Sequence, residues 1–137
     1  MRLLLIASLM LPASALATCR SGAAEPFARF LDTFGRDKAF AVTRTEYPLT
    51  LLKHDDSHEE EGGRATVKTQ VSKRDDAGMP PMAVFARENG LELGTRSLEK
   101  TQAVVRMEKP DTDWLLTYHF VRKGACWYLR RIEDHSL

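Results

Sequence analysis

The stretch WLLTYHFVRKGACWYLRRIED, residues 114–134, contains two runs of aromatic and branched side chains on either side of a Lys-Gly pair. Such runs are typical of β-strands, and a short loop with glycine between them is typical of a hairpin. With Lys123 and Gly124 as the loop, one face is predicted to carry three cross-strand pairs: Phe120 with Trp127, Tyr118 with Leu129, and Leu116 with Arg131. The stretch therefore predicts a long closing β-hairpin.

The two faces of this hairpin differ in composition. Successive strand residues point to opposite sides of a sheet, so a slip of one residue in the loop would exchange the faces. The face with the three pairs is apolar and aromatic except for Arg131, and we predict that it faces the core. The other face is mixed and partly exposed to solvent: Leu115, Thr117, His119, Val121, Cys126, Tyr128, Arg130 and Ile132.

Two helices are predicted before the strands begin. Residues 25–35 start with Glu-Pro and end with glycine, which suits the two ends of a helix. Their apolar residues fall at i, i+3, i+4 and i+7: Phe27, Phe30, Leu31 and Phe34. A stripe with this spacing is more often part of a core than an aromatic ligand site. Asp37 is a suitable cap for a second, shorter helix that turns Phe40 inward.

The remaining chain alternates strand patterns with polar segments rich in glycine and proline. Strands are predicted at residues 49–53, 64–73 and 101–109, and a short helix at 82–88 after two prolines. Residues 74–81 are predicted to be a loop, while residues 91–98, LELGTRSL, fit either a helix or a strand. Helices followed by a series of strands favour an α+β fold with an antiparallel sheet.

The first residues have the pattern of a secretory signal. MRLLLIASLML places one positive charge before an apolar run, and Ala-Leu-Ala follows at residues 15–17. The run is too short to cross a bilayer, which requires about 20 apolar residues. Lipidation of Cys19 is less well supported, because Thr18 stands where a lipoprotein has a small residue. We expect cleavage after Ala17 and a periplasmic or secreted bacterial protein.

The expected organisation is a signal peptide at 1–17, an arm at 18–24 and a single domain at 25–137. Cleavage removes Arg2, one of the 20 lysines and arginines, and none of the 19 acidic residues, so the mature chain has a formal net charge of zero. A protein that binds the phosphate backbone of nucleic acids is normally basic, so we predict no nucleic-acid partner. The mature chain also has no apolar run long enough for a transmembrane segment.

The chain has two cysteines, Cys19 and Cys126. In an oxidising compartment such a pair is usually a disulfide. We predict this bond, which would attach the N-terminal arm to the last strand on its outer face. No CxxC motif or four-cysteine ligand set is present.

Four short motifs are distributed along the chain: an F-x-x-F helix at Phe27 and Phe30, an Asp-to-Phe helix at Asp37 and Phe40, a Tyr-Pro-Leu strand start at 47–49, and a W-x-L strand at Trp127 and Leu129. In these features the chain resembles a secreted bacterial family of unknown function within the nuclear-transport-factor-2-like superfamily. The resemblance implies a cone-like α+β fold, in which N-terminal helices pack on a curved antiparallel sheet that ends in a long hairpin. It implies no chemistry.

In such a fold the concave face of the sheet is the place for a ligand. The candidate ligand-binding residues are Tyr118, Phe120, Trp127 and Leu129, with Arg131 at the rim. The resulting hypothesis is an exported, non-catalytic binding domain for a small apolar ligand or a protein partner. The alternative is that these aromatic side chains simply fill the core.

The segment HDDSHEEE, residues 54–61, contains two histidines four residues apart among acidic residues. A metal site needs ligands that are held in place by neighbouring groups, and this polar segment offers none. We therefore predict a solvated acidic loop and assign neither metal nor cofactor. The same loop motivates a second hypothesis, an inhibitor or immunity-type protein that docks its acidic loop into the basic cleft of a secreted or periplasmic enzyme.

A third hypothesis is an isomerase- or dehydratase-like enzyme built around Tyr118. Ketosteroid isomerase uses an aspartate base and a buried tyrosine donor in an apolar cavity. Tyr118 has the predicted position for the donor, but the closing hairpin has no acidic residue at an inward position. No catalytic residue is therefore assigned from the sequence.

Overall fold

The computed structural model describes residues 19, 22–55 and 65–136. The predicted signal segment, residues 1–17, lies outside the described residues. Four helices are present in this part of the chain: α1 Phe27–Arg36, α2 Lys38–Thr43, α3 Lys73–Ala77 and α4 Met82–Asn89. It also contains six strands: β1 Thr45–Asp55, β2 Ala65–Val71, β3 Glu92–Leu98, β4 Gln102–Glu108, β5 Leu115–Lys123 and β6 Cys126–Asp134.

The two N-terminal helices form where the sequence predicts them. Pro26 precedes α1, and the side chain of Asp37 accepts a hydrogen bond of 3.0 Å from the amide of Phe40, which caps α2. The predicted stripe lies on the buried side of α1, with Phe30 only 1% exposed. Gly90 ends α4 with a φ of 66°, a left-handed conformation that glycine adopts without strain.

The six strands form one curved sheet in the order β2-β1-β6-β5-β4-β3. The predicted α+β class is confirmed, and four of the five strand pairs are antiparallel as expected. The exception is β1, which pairs with β6 in parallel, so the sheet is mixed. This pairing brings the strand that follows the N-terminal helices against the last strand of the chain, a long-range contact that no local pattern indicates.

The predicted loop at 74–81 is partly wrong, because residues 73–77 form α3. The side chain of Ser72 accepts a hydrogen bond of 3.1 Å from the amide of Asp75. Asp75 and Asp76 lie in the first turn, where acidic residues interact favourably with the helix dipole. The segment that the sequence left ambiguous is strand β3.

The closing hairpin is present, but its turn is one residue later than predicted. Lys123 pairs with Cys126, so the loop consists of Gly124 and Ala125, and Gly124 has a φ of 59°. Phe120 consequently pairs with Leu129 rather than with Trp127. This correction shifts the register by two residues, an even number, and side chains up to Leu129 therefore keep their predicted faces.

Beyond that point a β-bulge changes the faces. The register shifts between Phe120, which pairs with Leu129, and His119, which pairs with Arg131. The extra residue in β6 turns Ile132 inward, opposite Tyr118, and turns Arg131 outward. The predicted positions of Arg131 and Ile132 are therefore wrong, because a bulge cannot be inferred from alternation alone.

The predicted disulfide between Cys19 and Cys126 is confirmed, with a Cα–Cα distance of 5.6 Å. It joins the N-terminal arm to the start of β6. The arm is also held by Glu25, whose amide donates to the carbonyl of Ala125 at 2.9 Å. Disulfides of this kind persist in oxidising compartments, which supports an extracytoplasmic location.

Candidate binding cavity

A cavity of about 640 Å³ lies between the inner face of the sheet and the helices. Its walls come from β1, β2, β5, β6 and the segment from α3 to α4. They are mainly apolar and include Leu49, Leu51, Met82, Phe85, Leu129 and Ile132. The described part of the cone is therefore hollow on this side, and a pocket of this size and composition is typical of small-molecule sites.

Two pairs of oppositely charged side chains line this mainly apolar cavity: Lys53 with Asp134, which are the more exposed, and Lys38 with Asp76. Asp76 of α3 accepts a hydrogen bond from the ammonium group of Lys38 at 2.7 Å, and the two side chains are only 14% and 22% exposed. The hydroxyl of Tyr47 donates to the other carboxylate oxygen of Asp76. Lys38 and Asp76 both line the cavity. The carboxylate is thus held in a fixed orientation by two partners.

Tyr118 lines the same cavity from the middle of β5 and is 8% exposed. Burial raises the pKa of its hydroxyl, and the negative charge of Asp76 raises this pKa further. Burial and the hydrogen bond to Asp76 likewise raise the pKa of Tyr47. Both phenols therefore remain protonated at neutral pH. Tyr47 donates its proton to Asp76, whereas the hydroxyl of Tyr118 can donate to a ligand.

The predicted ligand-binding residues do not all meet at this cavity. Tyr118 and Leu129 line it. Phe120 and Trp127 instead pack in the aromatic core, where the ring of Phe27 lies 5.6 Å from Phe120 and 5.0 Å from Trp127. Arg131 lies on the opposite face of the sheet, where it binds Glu133 at 2.8 Å. The sequence-based site is thus partly core and partly cavity.

The polar group around Asp76 was missed because its residues belong to three separate segments. Lys38 comes from α2, Tyr47 from β1 and Asp76 from α3. A local signal for α3 did exist: Ser72 followed by Asp75 is the spacing of a helix capping motif. That signal predicts the helix, but only the packing of α3 against α2 and β1 directs Asp76 into the cavity.

The acidic segment at 54–61 was the basis of the inhibitor hypothesis. His54 belongs to β1, whereas residues 56–61, including His58, lie outside the described residues.

In the part of the chain that is described, no helix is both long and apolar enough to span a membrane.

Comparisons with known proteins identify the fold. No protein-family model and no curated protein sequence matches the chain. Among solved structures, an NTF2-like protein from Bacteroides fragilis superimposes with a TM-score of 0.61 at 17% identity, over 86% of this chain and 50% of that chain. A DUF4783 family protein from Bacteroides uniformis gives a TM-score of 0.42 at 11% identity, over 79% of this chain and 94% of that chain.

This chain therefore covers half the length of the Bacteroides fragilis protein, and that match shows the fold alone. It agrees with the element order found here, in which N-terminal helices precede a curved six-stranded sheet that ends in a hairpin. The chain has the cone-like α+β fold of NTF2-like proteins.

Proposed function

We propose that the protein is a small exported binding domain that takes an apolar molecule with a hydrogen-bonding end group into its cavity. The observation that carries this proposal is a mainly apolar cavity of about 640 Å³ whose lining includes a buried group of polar side chains, Lys38, Asp76 and Tyr118. Apolar walls provide the free energy of transfer from water, while a few polar groups set the orientation of the ligand.

The ligand's end group is suggested by the donors and acceptors in the cavity. Tyr118 offers a buried hydroxyl that suits a carbonyl or hydroxyl oxygen. Asp76 is already bound to Lys38 and Tyr47, so its charge is compensated before any ligand enters. A neutral molecule is therefore favoured over an anion or a cation.

Export is the second part of the proposal. The disulfide supports an oxidising compartment, and residues 1–17 have the pattern of a cleavable signal. We propose cleavage after Ala17 and a location in the bacterial periplasm or outside the cell. In this setting a small domain with an apolar cavity would bind its ligand without catalysis.

The cavity is tested with prodan, a neutral naphthalene ketone whose emission shifts to the blue in apolar surroundings. We expect saturable binding by the wild type and at least about tenfold weaker binding by Leu51→Trp, because the indole would narrow the cavity and clash with a bound ligand. Tyr118→Phe should weaken binding by about 2–10-fold, the loss of one hydrogen bond.

The control for added indole bulk is Leu98→Trp, because Leu98 is 57% exposed on β3 and lies outside the cavity. This variant should bind prodan like the wild type. Equal binding by Leu51→Trp and the wild type would contradict the proposed site. Loss of binding in both tryptophan variants would do so as well.

An isomerase-like enzyme is the second candidate, favoured by the presence of Asp76 and Tyr118 in one apolar cavity. In such a site a carboxylate removes a proton from the carbon next to a carbonyl group and returns it to another carbon of the substrate. A tyrosine stabilises the negative charge that develops on the carbonyl oxygen. Here the aspartate comes from α3 rather than from the closing hairpin, for which the sequence predicts no inward acidic residue.

This candidate is tested by following the conversion of 3-cyclohexen-1-one to its conjugated isomer. A catalyst of this kind should be slowed by about 100-fold or more in Asp76→Asn, while prodan binding is largely retained. If wild-type protein gives no rate above buffer, the isomerase candidate is wrong and the binding function is unaffected.

A further inference from the structure

Three of the four histidines of the chain meet at Glu133. They come from neighbouring elements: His54 from β1, His119 from β5, and His135 from the residue after β6. Ile132 and Asp134 line the cavity, so the alternating Glu133 between them points to the outer face of the sheet. The cluster is therefore separate from the proposed ligand site.

Two of the imidazoles approach the same carboxylate oxygen. Glu133 Oε2 is 3.4 Å from His54 Nε2 and 3.5 Å from His135 Nε2. One ligand atom from each of these three residues lies within 4.8 Å of the other two. The edge of a tetrahedron around zinc is roughly 3.3–3.5 Å for metal–ligand bonds of about 2.0–2.1 Å, so the two Oε2–Nε2 separations suit a bound ion. His135 Nε2 also lies 3.2 Å from Thr117 Oγ1, a contact that the ion would replace.

The neighbouring groups hold these donors in place. The rings of His54 and His135 are stacked, with centroids 4.6 Å apart and planes at 14°. Because the lone pair of an imidazole nitrogen lies in the plane of its ring, binding of one ion by both rings requires one of them to turn out of the stack. Arg131 binds the other oxygen of Glu133 at 2.8 Å and leaves Oε2 to the imidazoles. Thr66 Oγ1 lies 3.4 Å from His54 Nδ1, on the far side of that ring. Partners of this kind orient the ligands of metal sites.

The backbone around the cluster is also held firmly. The amide of His135 donates to the carbonyl of Leu115 at 2.9 Å, which continues the β5–β6 pairing past the end of the strand. Leu52 pairs with Glu133 in the parallel β1–β6 ladder, which brings His54 beside the end of β6. The donors thus stand on sheet backbone rather than on a free loop.

We propose that His54, Glu133 and His135 form a binding site for one divalent transition-metal ion, with Zn²⁺ as the best-suited ion. Two imidazoles and one carboxylate are a donor set that zinc accepts with a fourth position left for water. The side chains are 24%, 16% and 33% exposed, so the site is accessible from solvent. A bound ion would link β1 to the chain that follows β6.

His119 is not one of the three donors. Its Nε2 lies 3.3 Å from Glu133 Oε1, the oxygen that Arg131 binds, and forms no hydrogen bond among the described residues. The two groups are close to each other, but they are not oriented to form a hydrogen bond. The expected site has three protein ligands, and His119 lies next to it.

The test is a calorimetric titration of tag-free protein, freed of metal with a chelator, with Zn²⁺ alone. We expect saturable binding of one ion per chain by the wild type. His54→Ala, His135→Ala and Glu133→Gln should each weaken binding by about 100-fold or more, since loss of an outer-shell partner alone costs about 10–100-fold. Proton NMR of the wild type should show Zn²⁺-dependent shifts of two imidazoles, a readout that does not depend on the folding of any variant.

His58→Ala is the matched control, because the sequence offers His54 with His58 as an alternative pair. This variant should bind Zn²⁺ like the wild type. The proposal is overturned if the wild type shows no saturation below about 1 mM, a free energy of only about −4 kcal/mol. It is also overturned if His135→Ala binds like the wild type, or if His58→Ala loses as much affinity as His54→Ala.

Discussion

Replacing Glu25 with alanine is expected to lower the free energy of unfolding by about 3–5 kcal/mol. Glu25 binds Arg44 at 3.0 Å, and the two side chains are 15% and 8% exposed. Without the carboxylate, the buried guanidinium of Arg44 would keep the carbonyl of Trp127 as a hydrogen-bond acceptor and the ring of Phe40 as a neighbour, but it would lose its counter-charge. A buried charge that has lost its counter-charge is strongly destabilising because the protein interior solvates it poorly.

Urea unfolding followed by circular dichroism measures this loss. Glu25→Gln should be less harmful, because an amide oxygen can still accept from the backbone amide of Trp127, which Glu25 binds at 3.2 Å. Asp32→Ala is the exposed control: its ion pair with Arg36 is 56% and 74% exposed and should contribute less than about 1 kcal/mol. Similar losses for Glu25→Ala and Asp32→Ala would contradict the assigned role of the Glu25–Arg44 pair.

Replacing Phe120 with alanine is expected to destabilise the protein by about 3–5 kcal/mol. Phe120 is 1% exposed, and its ring lies 5.6 Å from Phe30 and 5.3 Å from Phe34 in edge-on contacts. These rings belong to the stripe of α1, so the substitution would open a void between the first helix and the closing hairpin. Dense packing around the site limits how far neighbours can move to fill it.

The comparison variant is Leu51→Ala, which removes a half-buried side chain from the wall of an existing cavity. It creates no new enclosed void, so we expect a loss of only about 1–2 kcal/mol. Thermal and urea unfolding of both variants give the two values. A loss for Phe120→Ala no larger than that for Leu51→Ala would mean that Phe120 is not in a filled core.

Much of the fold follows from local patterns in the sequence. The stripe of α1, the Asp37 cap, the Gly90 stop and the alternating residues of β4 each predict their element within a few residues. These signals are reliable because they describe how one segment meets a buried surface or ends its own hydrogen bonds. The hairpin was found for the same reason, although its loop is one residue later than predicted.

The site was less predictable from the sequence. Tyr118 and Leu129 were identified correctly as inward-facing residues, because strand alternation determines the face as long as the register is regular. Phe120 and Trp127 face inward as well, yet they fill the core, since α1 covers that end of the sheet. Alternation alone cannot distinguish a covered part of the inner face from an open part.

By itself, the sequence determined the α+β class, the closing hairpin and the Cys19–Cys126 pair. Tertiary structure alone decided that β1 lies parallel to β6 and that a bulge turns Arg131 outward. It also placed Asp76 and Tyr118 in the wall of one cavity, and His54 next to Glu133. The physical reason is distance along the chain: local hydrogen bonding and periodicity specify an element, whereas contacts between distant segments depend on how the elements pack together.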